Sequence, residues 1–166
     1  HCDVYPDMDE EPLQMQVSAL AYDEYIGRLG IGRLYSGVLK QGQQYIRCNQ
    51  SGLNAKESLS KLFVYKGLSR TSVQEAHSGD IVVIAGMPDI SIGDTICTPK
   101  HKFKFEGIPT FAPEHFARIR NTDTMKRKQF VKGVEQIAQE GAIQIFTEIG
   151  GSMEEIIVGV VGVLQF

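Results

Sequence analysis

Cysteine is scarce in this sequence and poorly placed for a structural role. Only Cys2, Cys48 and Cys97 occur, with no C-x-x-C, and none of His1, His77, His101 and His115 falls at ligand spacing from another or from a Cys. That excludes a disulfide framework and a zinc site. Three ordinary thiols point instead to a reducing compartment, the cytoplasm. Long apolar runs are also missing: no eighteen consecutive apolar residues are found, which argues against a membrane-spanning helix. The chain opens on His1 with no basic segment leading into an apolar one, so it reads as a fragment or processed chain rather than a secreted precursor.

Catalytic motifs are absent as well. There is no G-x-x-x-x-G-K-[ST], hence no loop of backbone amides with a lysine to hold phosphates. Gly30-Ile31-Gly32 opens like a dinucleotide fingerprint, but Tyr35 stands where the third glycine belongs and no helix follows. No G-x-S-x-G or H-E-x-x-H occurs. Glu154-Glu155 is a carboxylate pair, yet neighbouring strand residues face opposite ways and make no dyad. The expectation is a chain that is not itself an enzyme and holds no cofactor or metal.

What is present is an uneven charge distribution and an ample core composition. The hydrophobic fraction is 42% and the net charge −3, which does not describe a general nucleic-acid binder. Residues 1–11 hold five acids and no Lys or Arg, whereas 100–132 hold nine bases against three acids. Lys126, Arg127, Lys128 and Lys132 fall in the first half of a predicted helix, with Glu135 and Glu140 late. This order opposes the helix dipole and suits a bound phosphate, although a solvated face explains it equally well. Arg118 and Arg120, two apart on a predicted strand, tilt the reading towards phosphate contact.

Periodicity supplies the architecture. Residues 1–12, acidic with two prolines, read as a linker or arm. From Leu13 the apolar Leu13, Met15, Val17 and Ala19 alternate with polar residues, the mark of a half-buried strand. Strands are predicted over 25–35, 45–48, 61–65, 71–75, 81–85 and 95–97, separated by turn signals such as Lys40-Gln41-Gly42 and Ser78-Gly79-Asp80, with 49–54 a polar loop. Many short strands without a helical window predict a closed or nearly closed β-barrel over 13–98, with Gly27, Gly30 and Gly32 providing its bends. Residues 99–114 are connecting chain. Over 115–166 the pattern gives a strand at 115–120, a helix at 124–140 through Phe130, Val134, Ile137 and Ala138, a strand at 143–147, a turn at Gly150-Gly151 and an apolar strand at 155–166. That is a partial ferredoxin-like α+β unit. Its last strand leaves an apolar face unprotected, which predicts that the native protein continues or that the fragment pairs with itself. The fold class is therefore mainly β: a small β-barrel, then a truncated α+β ferredoxin-like unit.

Several motifs carry a family likeness. Pro12-Leu13-Gln14-Met15-Gln16, the run Tyr22-Asp23-Glu24-Tyr25-Ile26-Gly27-Arg28-Leu29-Gly30-Ile31-Gly32-Arg33, Ser36-Gly37-Val38-Leu39-Lys40-Gln41-Gly42-Gln43, Gly79-Asp80-Ile81-Val82 and Ile90-Ser91-Ile92-Gly93-Asp94-Thr95-Ile96 resemble the second domain of translational GTPases, the BipA/TypA family above all. Phe105-Glu106-Gly107-Ile108-Pro109, Phe111-Ala112-Pro113-Glu114-His115-Phe116, Lys126-Arg127-Lys128-Gln129-Phe130, Glu140-Gly141-Ala142-Ile143-Gln144 and the closing Val158-Gly159-Val160-Val161-Gly162-Val163-Leu164-Gln165-Phe166 resemble peptide chain release factor three. Residues 12–98 thus look like one branch and 103–166 like another, whether by fusion, by unusual membership or through shared features.

The resemblance implies a non-catalytic, cytoplasmic segment that docks a GTP-dependent translation factor on the ribosome, chiefly on small-subunit rRNA. GTP and Mg are implied only for a GTPase domain lying elsewhere, itself an expected partner. The residues it puts forward for rRNA contact are Arg28, Arg33 and Lys40 in the barrel, and Arg118, Arg120, Lys126, Arg127 and Lys128 beyond it; the basic half of the helix adds Lys132. The competing reading is a protein-interaction module with no RNA contact, using the apolar stretch 156–166 as its sticky face.

Overall fold

In the computed structural model, residues 3–147 and 155–166 are described. The chain divides into two compact units, His1–Ile108 and Pro109–Phe166, and is mainly β, with 44% of the described residues in strands.

The first unit runs β1 (Gln14–Asp23), β2 (Gly27–Ser36), β3 (Leu39–Lys40), β4 (Gln44–Cys48), β5 (Asn54–Ser58), β6 (Lys61–Lys66), β7 (Ser69–Ser72), β8 (Glu75–Ala76), β9 (Ile81–Ala85) and β10 (Thr95–Cys97). Eight strands form one sheet in the order β5-β4-β10-β1-β2-β9-β6-β7, and β3 pairs with β8. The sheet rolls up. Leu13, Met15, Val17, Leu34, Leu39, Tyr45, Leu62, Ala76, Val82, Ile84 and Ile96, drawn from both ends of the strand order, meet in a single buried cluster. Backbone bonds outside the ladders stitch the roll: Gln41 N donates to Gln74 O at 2.9 Å, Gly42 N to Leu59 O at 2.7 Å, and Ser60 N to Ala85 O at 2.9 Å.

The alternation predicted from Leu13 is present, with Leu13, Met15 and Val17 fully inside. A register shift between Val17 and Ala19 marks a bulge in the β1–β2 ladder. Of the β2 glycines, Gly27, at φ 87°, serves the turn out of β1, whereas Gly30 and Gly32 serve close packing. Gly32 has an ordinary φ, but a Cβ there would run into the Gln16 carbonyl, so only glycine lets the strands approach. One strand went unpredicted: β5 lies within residues whose charged alternation gave no apolar signal. The expected strand at 71–75 is two pieces, β7 and β8.

After β10, Phe105 stays with the barrel: its amide donates to Thr95 Oγ1 at 2.9 Å, and its ring lies 5.0 Å from that of Tyr35.

The second unit holds β11 (His115–Arg120), a 3-10 turn Thr124–Lys126, α1 (Arg127–Gln139), β12 (Gln144–Phe146) and β13 (Glu155–Val160). Strand order is β11-β13-β12, with both ladders antiparallel. A helix between β11 and β12, followed by antiparallel β12 and β13 with β13 central, is the split β-α-β arrangement. Asp123 Oδ1 accepts from Met125 N at 3.0 Å and caps the 3-10 turn that leads into α1. Gly141, at φ 81°, ends it. Val134, Val158 and Val160 are buried.

The last strand is shorter than predicted. It stops at Val160, and Val163–Gln165 forms a 3-10 turn. Gln165 Oε1 accepts from Val161 N and Gly162 N, both at 2.9 Å, diverting the backbone from the ladder. The predicted Gly150-Gly151 turn, Glu154 and Cys2 lie outside the described residues.

Candidate nucleic-acid interface

The nine candidate residues divide between the two units, and most have structural work of their own. In the barrel, Arg28 on β2 donates from Nη1 to the Ile90 carbonyl at 3.1 Å. Arg33, also on β2, sits over the Tyr5 ring with its guanidinium carbon 4.3 Å from the ring centre. Lys40 on β3 pairs with Glu75 on β8 at 3.4 Å, directly across the ladder. These three therefore do not form a bare cationic surface.

In the second unit, Arg118 and Arg120 point to one face of β11, as their spacing requires. Arg118 Nη1 lies 3.4 Å from Glu155 Oε2 on β13. Lys126 Nζ is 3.9 Å from Asp123 Oδ2. Lys128 and Lys132, one turn apart on α1, are exposed and have no ion-pair partner among the described residues. No acid lies in the first turn of α1, so its amide dipoles and its lysines add up to a positive N-terminal half.

The same unit has a second surface. Phe116 and Phe146 meet with ring centres 5.5 Å apart at an angle of 67°. They are 58% and 38% exposed, more than a packed core would leave. With Ala117, Arg118 and Ile157 they line an open cleft of about 410 Å³.

Sequence reasoning missed the most buried charges of the barrel. Arg47 on β4 donates to Asp94 Oδ2 at 3.1 Å and to Glu57 Oε1 from two nitrogens at 3.0 and 3.1 Å. Burial pushes the Asp94 carboxyl up, against the pull of the Ser91 amide and Arg47. It also missed that Cys48 and Cys97 meet, with sulfurs 3.9 Å apart and both thiols free. Burial, then the neighbouring Cys97, pushes the Cys48 thiol up to about 11, which makes it inert. No cluster of three metal-ligating side chains occurs among the described residues, and no described helix is long and apolar enough to cross a membrane.

A rolled barrel followed by a split β-α-β unit matches known protein families in both parts. Residues 27–97 match the family model for elongation factor Tu domain 2, and residues 105–166 that for the class II release factor RF3 C-terminal domain. The class these define is a translational GTPase segment carrying both likenesses, and neither matched region is a catalytic GTPase domain. Among individual proteins, the chain is similar to peptide chain release factor 3 of Symbiobacterium thermophilum, 41% identical over 141 residues, covering 84% of this chain and 26% of that protein. It is also similar to the large ribosomal subunit assembly factor BipA of Bacillus subtilis, 43% identical over 96 residues, covering 58% of this chain and 16% of that protein. The chain thus spans about a quarter of one relative and a sixth of the other. An alignment of 141 residues does not fit within 103–166, so the release-factor likeness takes in the barrel as well.

Proposed function

We propose that this chain is a ribosome-docking segment of a cytoplasmic GTP-dependent translation factor, contacting small-subunit rRNA and performing no catalysis itself. GTP and Mg belong to a GTPase domain outside the chain, with which the barrel is a partner. The observation that carries the reading is the pair Lys128 and Lys132 on α1, exposed and without described carboxylate partners, with Lys126 and Arg127 directly ahead of them in the chain. Cations held at a helix N-terminal half suit phosphate oxygens. Support for ribosome contact comes from the relatives, one a peptide chain release factor and the other a ribosomal subunit assembly factor.

The test is binding of the chain to purified small and large ribosomal subunits across a salt series. Preferential small-subunit binding with a falling log–log salt slope is expected, and Lys128→Glu with Lys132→Glu should weaken it at least tenfold. Equal binding to both subunits would remove the small-subunit assignment, and a salt-independent contact would remove the RNA reading.

A second reading rests on the Phe116–Phe146 cleft: an apolar protein contact with no RNA. It predicts that Phe116→Ala abolishes association while charge reversal on α1 changes it little.

A further inference from the structure

Residues 3–11 have no periodic pattern, yet a set of contacts from single side chains and amides fixes them on the barrel. The Tyr5 hydroxyl donates to the Tyr35 carbonyl at 2.9 Å. Met8 N donates to Ser78 Oγ at 2.9 Å, and Gly37 N to Met8 O at 2.9 Å. The Asp9 carboxylate closes the set: Oδ1 accepts from Ser78 N at 2.8 Å, and Oδ2 pairs with His77 Nδ1 at 2.7 Å. The barrel is shaped to receive the segment. Gly79, at φ 92°, lies flat under the Tyr5 ring, where a Cβ would come within 2.7 Å of it.

Arg33 is what this segment covers. Tyr5 occupies the face of its guanidinium, and Arg33 Nε is buried with no acceptor. A buried donor without a partner is unfavourable, so the covered state leaves hydrogen-bonding capacity unspent. The covering chain is acidic: Asp3, Asp7, Asp9, Glu10 and Glu11, with no base, fall within residues 1–11. An anion approaching Arg33 meets like charge and a blocked nitrogen.

We propose that residues 5–9 are a strap that shields Arg33 from an anionic partner, with the Asp9–His77 pair as its latch. The proposal rests on the ribosome-docking reading and adds regulation to it: the phosphate-binding capacity of Arg33 is released when the strap lifts. Three acids face His77. Asp9 lies on the strap, Glu75 Oε1 on β8 is 3.9 Å from Nε2, and Asp80 Oδ2 accepts from the His77 amide at 3.0 Å. The Asp9 hydrogen bond leads in holding the His77 pKa above its ordinary value, and the Ser78 amide leads in holding Asp9 below its own. A raised histidine favours the latched state below the ordinary histidine range and loses that contribution as pH rises through the raised value. On the acid side the latch weakens only as pH falls through the lowered Asp9 value.

Cleavage after Glu10 by a glutamate-specific protease reads the strap without RNA, and binding to purified small ribosomal subunits reads its consequence. In Asp9→Asn, cleavage should quicken several-fold and lose its rise with pH across the histidine range. In Tyr5→Ala, subunit affinity should rise several-fold with a salt slope steeper by about one, and adding Arg33→Gln should cancel the gain. Unchanged or weaker binding of Tyr5→Ala, while the unmodified chain binds with a salt slope, overturns the strap and leaves the docking reading standing. Unchanged cleavage in Asp9→Asn overturns the latch. Binding by no variant overturns the docking reading and this proposal together, while cleavage still reports whether the segment is fastened.

Discussion

Arg47 is the residue on which the barrel most depends electrostatically. Its guanidinium lies between Glu57 and Asp94, with Asp94 almost wholly buried and Glu57 Oε2 left without a partner. Removing one member of a buried pair strands the others, at about 3–5 kcal/mol. Arg47→Ala should therefore lower unfolding stability by that order in urea titration, and a loss below about 1 kcal/mol would mean that water reaches the carboxylates. The sequence offers little warning of this. Tyr45-Ile46-Arg47-Cys48 reads only as a strand, whereas all four residues are buried, Arg47 among them. Cys48 and Cys97 were equally hidden, forty-nine residues apart in sequence and neighbours only through the β4–β10 ladder. Both should escape alkylation in the folded chain and react once it unfolds, as peptide mass spectrometry would show.

The elements follow the sequence where an apolar rhythm is strong and depart from it where pairing alone makes the strand. β9, β10 and β11 fall where the alternation places them. β5 does not, because Asn54–Ser58 is an edge strand whose hydrogen bonds to β4 need no apolar face. Helix α1 was legible through Phe130 and Val134, although Ile137 is 46% exposed rather than packed away. Its cation-first order separates stability from binding. Lys128→Glu puts an acid in the first turn, so it should stabilise the second unit by about 0.3–1 kcal/mol while weakening subunit binding. Thermal unfolding and binding should then move in opposite directions. A variant that loses both would show that Lys128 serves the fold.

At the scale of the whole chain, charge decides the kind of contact available. Pro109–Phe166 is one compact unit, and its six Lys and Arg are outnumbered by seven Asp and Glu. Its field is not positive overall, so the proposed RNA contact by this unit rests on individual cations of α1 and β11, and a shallow salt slope from a few phosphates is expected. The barrel and the partial α+β unit were both legible, since turn signals and period changes are local. The candidate site was legible only as a list of cations. Whether a cation is engaged by a neighbour, as Arg28 and Lys40 are, or only covered by one, as Arg33 is, depends on contacts between residues distant in sequence.

The fastened segment ahead of β1 also has a mechanical meaning. Tension applied to the chain near Asp3 reaches Tyr5, Met8 and Asp9 before it reaches Gln14, the first rung of the ladder. Those contacts act as a breakaway anchor: they yield first, and the barrel stays whole while the tether lengthens.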